Sequence, residues 1–402
     1  MSENEREAVF LSSARTAQGR FQGSLKSLKA PELGAIAVRA AVERAGIEDT
    51  SQFDEVIMGN VVSAGLGQAP ARQAGIFGGI DSSVGATTIN KVCGSGLKAA
   101  MLSAQAIRAG DGHLYIAGGM ENMSRAPFLI NGRNSELRYG NSQLIDALQF
   151  DGLWDPFEDW IMGDAAEFIG EEYEVSREAM DRFALESHQK ALAAIDAGKF
   201  KDEIVPIEIK DRKGNISIFD VDEAPRRDTS MEALERLRPA FKPDGKVTAG
   251  NAPGLNDGAS ALVLASRSKA DEMGKSPIAR VVGYTQVAVD PKHIFIAPAR
   301  AIPKLLEKIE WEMKDVDLIE LNEAYAAQVL ADGYAMEDLG WDWDKVNVNG
   351  GAIALGHPLG ASGARVLTTL IHALKDRGLS RGIASLCLGG AEAVAMAIEI
   401  ES

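Results

Sequence analysis

One stretch of the chain decides the fold, and it reads Thr87-Thr88-Ile89-Asn90-Lys91-Val92-Cys93-Gly94-Ser95-Gly96-Leu97. The apolar run over residues 84–89 predicts a strand. Beyond Gly-Ser-Gly, apolar side chains recur at helical spacing as far as Gly110, where we expect the helix to end. Cys93 is therefore predicted at a strand-to-helix turn, just before the helix begins.

This predicted position favours a reactive thiol at Cys93. The free N–H groups and the positive end of the helix dipole stabilise a thiolate, and the same N–H groups can hold a developing oxyanion. Two glycines next to it allow another backbone or a substrate to come close. The alternative is a small buried cysteine without chemistry, and this stretch alone does not decide between the two.

The composition indicates a globular protein with more than one domain. The chain has 402 residues, of which 46% are hydrophobic, so it can bury a large core in two or three domains. Only two cysteines occur, Cys93 and Cys387, which excludes a disulfide framework. No cluster of residues has transition-metal spacing, and we predict no metal.

Charge and hydropathy restrict the partners. A net charge of −16 argues against nucleic acid and against an anionic membrane surface. No run of about 18 apolar residues occurs, so we expect no membrane span. Residues 1–8 are polar and acidic, unlike a signal peptide, and a cytoplasmic location is expected.

Strand-like and helix-like segments alternate over residues 7–121 and again over residues 251–402. Such alternation predicts α/β layers with a mainly parallel sheet. Between them, residues 122–250 are richer in charge and in clustered aromatic side chains. A helix is predicted there from Ser176, followed by a hairpin whose turn covers residues 211–215. We interpret this region as an inserted lobe that helps to bind a ligand.

The second half of the chain echoes the first. In each half a helix precedes a strand that ends in asparagine, Asn60 in the first and Asn322 in the second. Each half then continues through a second strand, a helix and a strand that runs into Gly-Gly. We interpret this as an internal duplication of one α/β unit. Equivalent loops of both halves would then meet at one cleft, at the carboxyl ends of the strands.

Three further side chains would join Cys93 in that cleft. Asn322 ends a strand, where an ordinary helix cap is the alternative. His357 lies in the glycine-rich segment 349–363 and can shuttle a proton near neutral pH, whereas the other four histidines we interpret as structural or solvated. Cys387 ends another strand beside Gly-Gly, with a buried thiol as the alternative. Together these residues offer a nucleophile, a polar anchor, a base and a second acid or base.

The chain resembles the thiolase family, which comprises acetyl-CoA acetyltransferases and 3-ketoacyl-CoA thiolases. The resemblance rests on long motifs that occur in family order along nearly the whole chain, at residues 89–96, 118–124, 247–251, 322–324, 349–363 and 387–390.

This resemblance implies an α/β thiolase fold, with a duplicated core in five α-β-α-β-α layers and an inserted loop domain. The N-terminal core domain would comprise residues 1–121, completed by 251–272. The loop domain would comprise residues 122–250 and cover the coenzyme A site, and the C-terminal core domain would comprise residues 273–402. The family also implies a homo-oligomer, a dimer or tetramer, with acyl-CoA substrates and no cofactor beyond coenzyme A as substrate or product.

The resemblance assigns the chemistry to five residues. Cys93, deprotonated with help from His357, would take the acyl group of a thioester, and Cys387 would remove a proton from the α-carbon of a second acetyl-CoA. The N–H groups of Cys93 and Gly389 would hold the oxyanion of the acyl-enzyme. His357 and a water held by Asn322 would hold the enolate. Two acetyl-CoA would thus give acetoacetyl-CoA, or the reverse, by a ping-pong reaction.

The resemblance to the thiolase family also assigns residues that bind coenzyme A. Arg226 belongs to a local basic pair in this acidic chain and is assigned to the nucleotide end, with a solvated basic pair as the alternative. The pantetheine channel and the acyl pocket are assigned to Leu153, Met162, Ala249, Ala324 and Tyr325.

The chain departs from the family pattern around that pocket. Pro253 stands where the family often has serine, and Ile161 stands where many acetyl-specific members have histidine. Ala391 replaces a third glycine and is followed by Glu392, and residues 293–296 replace a Met-Gly-containing stretch. Two other functions therefore stay open: a degradative 3-ketoacyl-CoA thiolase with a wider pocket, and a non-catalytic acyl-CoA-binding subunit.

Overall fold

The computed structural model of the protein describes residues 4–130, 139–210 and 213–401. Its α-helices are α1 (Ala30–Ala45), α2 (Pro70–Phe77), α3 (Ser95–Ala109), α4 (Met162–Glu172), α5 (Arg177–Asp196), α6 (Met231–Glu235), α7 (Arg267–Glu272), α8 (Pro298–Ile309), α9 (Ala326–Ala335), α10 (Ala352–Leu355) and α11 (Leu359–Arg377). Its strands are β1 (Ala8–Thr16), β2 (Gly19–Arg20), β3 (Glu55–Gly59), β4 (Gly85–Ile89), β5 (Leu114–Asn122), β6 (Phe128–Leu129), β7 (Ile145–Asp146), β8 (Trp154–Asp155), β9 (Trp160–Ile161), β10 (Ile204–Val205), β11 (Ile207–Lys210), β12 (Ile216–Phe219), β13 (Asn256–Ser266), β14 (Ala279–Ala288), β15 (Leu318–Leu321), β16 (Arg381–Leu388) and β17 (Glu392–Ile400).

The main sheet has two halves with the same strand arrangement. In the first half the order is β1-β13-β5-β3-β4, with β3 parallel to β4 and β5 and with β13 antiparallel to β1 and β5. The second half has the order β14-β17-β16-β15, with β15 parallel to β16 and with β17 antiparallel to β14 and β16. An isolated parallel bridge from Ile319 to Val346 occupies the place of β4. The duplication predicted from the sequence is therefore present in the strand order.

Five layers follow from how the two half-sheets are covered. Helices α1 and α2 cover the outer face of the first half, α8 and α9 cover the outer face of the second, and α3 and α11 lie between them. Strand β1 shows why both faces are apolar: Phe10 packs among Leu97 and Leu370 of the middle layer, while Val9 packs with Leu33 of α1. The predicted α-β-α-β-α arrangement is confirmed.

The two middle helices cross closely because glycines lie at their contact. A Cβ atom at Gly96 would come within 2.5 Å of the backbone nitrogen of Ala364, and one at Gly363 would overlap the backbone nitrogen of Leu97. Both glycines lie near the start of their helix, so the segments that precede α3 and α11 become neighbours. Those segments contain Cys93 and His357.

The predicted local elements are found with small changes of their ends. Helix α3 ends at Ala109 and is capped by Gly110, which adopts a left-handed φ of 86°. Helix α5 begins after Ser176, whose side chain accepts the N–H of Ala179. Strands β11 and β12 form the predicted hairpin, although residues 211–212 of its turn lie outside the described residues.

The insertion lies between two strands of the first half-sheet, β5 and β13, and contains α4, α5, α6 and the hairpin. The exact domain boundaries stay predictions. Within the described part of the chain, no helix combines the length and the apolar character needed to cross a bilayer.

The close helix crossing predicts a destabilised Gly363→Ala variant. The added methyl group would overlap the backbone of α3, and overpacking of this kind costs about 1–3 kcal/mol or more. We expect a lower melting temperature in a thermal scan followed by circular dichroism. Gly75→Ala is the control, because a Cβ there meets nothing closer than 3.4 Å. Equal melting temperatures for Gly363→Ala and the parent protein would contradict the packing argument.

Candidate active site

Cys93 lies in the turn between β4 and α3. The side-chain oxygen of Asn90 accepts the N–H of Val92 at 3.0 Å, and Val92 has a positive φ of 45°, which β-branched residues rarely adopt. The backbone N–H of Gly389 acts on the Cys93 thiol and lowers its pKa against the larger effect of burial. Cys93 of the first half and Gly389 of the second half line the same cavity.

His357 lies between α10 and α11, and its hydrogen bonds define its tautomer. Its backbone N–H donates to Asn256 Oδ1 at 2.9 Å, and its Nδ1 is 2.6 Å from Ser362 Oγ. The hydroxyl of Ser362 donates its only proton to the carbonyl of Pro358 at 2.9 Å, so it accepts from Nδ1. Nδ1 therefore carries the ring proton, and Nε2 is the unprotonated ring nitrogen, whose lone pair can accept.

Asn322 follows β15 and points its amide at that ring. Its Nδ2 lies 3.5 Å from His357 Nε2, and its backbone N–H donates to the carbonyl of Ser385 at 3.0 Å. Its Oδ1 is buried and has no hydrogen-bond partner among the described residues. A buried acceptor of this kind fits a small polar group such as a water molecule.

Burial keeps both thiols protonated at rest. It raises the pKa of Cys93 to about 12, against the opposing effect of the Gly389 and Cys93 N–H groups. It also raises the pKa of Cys387 well above the ordinary value, and the neighbouring Cys93 adds to that rise. The sequence predicts that the helix N-terminus favours the thiolate of Cys93, and in the structure the opposing effect of desolvation on the pKa is larger.

Burial also keeps His357 neutral. Burial and, to a smaller extent, the positive charge of Arg365 on α11 together lower the pKa of the imidazole to about 3. A neutral imidazole next to a protonated thiol can receive the thiol proton when the sulfur attacks a substrate.

One cavity of about 350 Å³ collects the predicted residues. Cys93, His357, Cys387 and Gly389 line it, and Asn322 reaches it through its contact with His357. The residues predicted for the acyl pocket and the pantetheine channel line the same cavity, namely Leu153, Met162, Ala249, Ala324 and Tyr325. The structure thus brings these residues together, while their chemical roles remain predictions.

Aromatic rings form one wall of this cavity. The ring of Tyr325 meets the edge of Phe295 at a centroid distance of 5.3 Å and that of Phe241 at 6.3 Å. Some of the positions that depart from the family pattern, namely Ile161, Pro253 and Phe295, are in the same lining. These departures therefore act on the space next to the thiols.

Arg226 lies in a second groove of about 360 Å³ that adjoins the first. Ala249, Ala252, Gly254 and Leu255 line both spaces. Within the second groove, the backbone N–H of Arg226 donates to His188 Nδ1 at 3.2 Å, and burial lowers the pKa of His188 to about 4. The other member of the basic pair, Arg227, instead binds Asp196 at the surface.

Three residues in or next to these two spaces are not predicted from the sequence as functional. Ser362 occurs in a family motif, and its contact with the imidazole of His357 is what gives it a role. The sequence favours a structural or solvated His188, and the structure places this residue in the lining of the second groove. Phe241 lies in a segment whose apolar residues show neither helix nor strand spacing. Tertiary packing brings its ring into the lining of the cavity. In the described residues, no group of three His, Cys, Asp or Glu side chains is placed to hold a metal ion.

Known proteins with the same fold are similar over the whole chain. The crystal structure of the Bacillus anthracis acetyl-CoA acetyltransferase matches with a TM-score of 0.95 and 44% identity, covering 100% of both chains. The acetyl-CoA acetyltransferase of Pseudomonas aeruginosa is 52% identical over 392 residues, which is 98% of this chain and 99% of the relative. That of Cupriavidus necator is 51% identical over 393 residues, again 98% and 99%.

The fold is therefore that of a thiolase. Family models agree: one described as "Thiolase, N-terminal domain" matches residues 8–268, and one described as "Thiolase, C-terminal domain" matches residues 275–400. The chain belongs to the thiolase family.

The low pKa of His357 predicts that its ring stays neutral in mildly acidic solution. The folded pKa lies below the ordinary value of about 6.5, so the neutral form persists as the pH falls. In an NMR titration of histidine side chains from about pH 8 to about pH 5, the His357 signal should not shift. The signal is assigned by its loss in the His357→Gln variant, and a midpoint near the ordinary value would contradict the prediction.

Proposed function

We propose that the protein is an acetyl-CoA C-acetyltransferase, which interconverts two acetyl-CoA with acetoacetyl-CoA and coenzyme A through an acyl-Cys93 intermediate. The observation that carries this proposal is the convergence of Cys93, Cys387 and His357, with its unprotonated Nε2, on one cavity. Relatives named acetyl-CoA acetyltransferase, about half identical over nearly their whole length, support acetyl as the acyl group.

The thiolysis direction shows how the protons move. In the first step, His357 Nε2 takes the proton of Cys93 while the sulfur attacks the ketone carbon of acetoacetyl-CoA. The oxygen of that ketone becomes an oxyanion, and the N–H groups of Cys93 and Gly389 stabilise it. Such donors act strongly in a desolvated cavity, where removal of one typically costs about 10²–10³ in rate.

The carbon–carbon bond then breaks as the oxyanion collapses. The acetyl group stays on Cys93, and the electron pair passes to the departing acetyl-CoA enolate. The enolate oxygen accepts from the new Nε2–H of His357 and from a water on Asn322. Cys387 gives its proton to the α-carbon, and the proton on Nε2 returns to Cys387. The raised pKa of Cys387 suits this role, because the group must be protonated when the enolate forms.

Coenzyme A completes the reaction. Its sulfur attacks the acetyl-Cys93 carbonyl and forms the second acetyl-CoA, while the thiol proton of coenzyme A passes through the acid–base pair to the sulfur of Cys93. Condensation of two acetyl-CoA follows the same steps in reverse. The reaction needs no further cofactor, because thiol and imidazole groups perform every bond and proton transfer.

The cavity supports a short acyl chain. The rings of Phe241, Tyr325 and Phe295 close one side of a space that must also admit the end of the pantetheine arm. A degradative thiolase for longer 3-ketoacyl-CoA would need these rings to move. A non-catalytic acyl-CoA-binding subunit is disfavoured, because the thiols, the imidazole and the amide are all present around the cavity.

The second groove supports a site for the nucleotide part of coenzyme A. Arg226 supplies a positive charge there, and the shared lining residues such as Ala249 would lie along the pantetheine arm. Pro253 has no hydroxyl group. In this protein the pantetheine arm would therefore lack the hydrogen bond that a serine at this position gives in many family members.

We further propose the three-domain division, a dimeric or tetrameric assembly and a cytoplasmic location. Support for the assembly comes from β4, an edge strand whose side chains are half-exposed or exposed, and which pairs with β3 alone among the described strands. Several large apolar side chains are exposed as well, including Phe77, Phe128 and Phe150.

Replacing the nucleophile should abolish turnover without abolishing binding. Cys93→Ala is expected to lower acetoacetyl-CoA thiolysis by more than about 10⁴-fold, the order seen when other nucleophiles are removed. Coenzyme A should still bind in calorimetry. Cys387→Ala is the matched control: mass spectrometry should find acetyl-CoA still acetylating Cys93, while carbon–carbon cleavage is lost. Substantial turnover in Cys93→Ala would refute the assignment.

A substrate-length series tests the acyl group. We expect kcat/KM for acetoacetyl-CoA to exceed that for a 3-ketoacyl-CoA of eight or ten carbons by about tenfold or more, because even one misfitting methylene costs about 1–3 kcal/mol. Phe295→Ala should narrow this difference by opening the wall. Faster cleavage of the long substrates by the parent protein would instead favour the degradative function.

A further inference from the structure

Lys91 and Glu392 form an ion pair between the two halves of the chain. The ammonium group of Lys91 donates to Glu392 Oε2, and the two side chains are 20% and 31% exposed. Lys91 lies two residues before Cys93, and Glu392 lies three residues after Gly389. The pair therefore links the two loops that carry the N–H groups of the proposed oxyanion site.

Both partners are anchored to rigid backbone. The N–H of Lys91 donates to Ser95 Oγ at 2.8 Å, and that hydroxyl donates to the carbonyl of Val92 at 2.7 Å, at the start of α3. Glu392 begins β17 and pairs with Leu388 across the turn 389–391. A force between the two side chains is therefore transmitted directly to the loops.

The loops themselves are in contact and conformationally strained. A Cβ at Gly389 would come within 3.0 Å of the Val92 side chain, and one at Gly94 would overlap the side chain of Leu388. Val92 has a φ of 45° and Ala391 a φ of 58°, both in the left-handed region that non-glycine residues avoid. Backbone of this kind relaxes unless its surroundings hold it.

Other charges around the pair make its loss unfavourable. Burial lowers the pKa of Lys98 on α3, the positive charge of Lys91 adds to this effect, and the negative charge of Glu392 opposes it. Its ammonium group donates to Gln286 Oε1 at 3.1 Å, on strand β14. Without Glu392, two positive charges would repel each other beside the Cys93 loop.

We propose that the Lys91–Glu392 ion pair is a positioning device that fixes the distance between the N–H groups of Cys93 and Gly389. This inference rests on the proposed function. Neither partner lines the cavity, so the pair acts on the transition state through the loops and leaves substrate binding alone. The geometry matters because stabilisation of an oxyanion falls steeply when a donor moves.

Neutral variants measure the effect on the chemical step. We expect Glu392→Gln and Lys91→Gln each to lower kcat of acetoacetyl-CoA thiolysis by about tenfold, less than the loss of a whole donor, while KM stays within about twofold. Because each substitution removes the same ion pair, the double variant Lys91→Gln with Glu392→Gln should be no slower than either single variant.

Charge reversal separates positioning from general structure. The double variant Lys91→Glu with Glu392→Lys restores the pair and should recover kcat to within about threefold of the parent protein. Asp376→Asn is the matched control: it breaks the ion pair of Lys199 and Asp376, with side chains 37% and 35% exposed, and should leave kcat unchanged.

The outcomes are distinguishable. A parent-like kcat in Glu392→Gln overturns the inference but leaves the proposed function intact. A slow Glu392→Gln variant that charge reversal does not recover, with a lowered melting temperature, also overturns it, because the pair would then be a structural contact. If the parent protein neither cleaves acetoacetyl-CoA nor becomes acetylated at Cys93, the proposed function and the inference about the ion pair are both overturned.

Discussion

The close crossing of α3 and α11 is the constraint on which the site depends. Glycines at the contact let the two helices approach to backbone distance, and each helix begins just after a residue of the cavity. Cys93 precedes one helix and His357 precedes the other. A larger side chain at Gly96 or Gly363 would separate the thiol from the imidazole. Stability and chemistry are therefore linked through the same few ångströms of packing.

Burial then sets the charge state of the groups that this crossing brings together. Desolvation raises the pKa of both thiols and lowers that of the imidazole, so the site is neutral before substrate arrives. Charge develops only during the reaction, next to backbone N–H groups and the amide of Asn322. In a site of this kind, the hydrogen-bond donors interact more strongly with the charged transition state than with the neutral resting state. This agrees with transition-state stabilisation as the main task of the site.

The sequence predicts most of the fold, because periodicity and duplication are local or repeated signals. The Cys93 turn, the helix that follows it and the echo between the halves could all be read from residue spacing. Contacts between distant segments could not. Phe241 in the cavity wall, the bond from His357 to Ser362 and the pair of Lys91 with Glu392 all depend on tertiary packing. The raised pKa of Cys93 also depends on tertiary packing, because desolvation cannot be read from one turn.

Strand β13 lies between β1 and β5, although the inserted lobe separates it from both along the chain. During synthesis on the ribosome, the first half-sheet therefore stays open until residue 266 has emerged. During that interval the edges of β1 and β5 that later pair with β13 lack a partner strand. Unpaired edges of this kind can associate with other chains. The strand order that brings β13 between β1 and β5 thus lengthens the interval in which the nascent chain exposes unpaired strand edges.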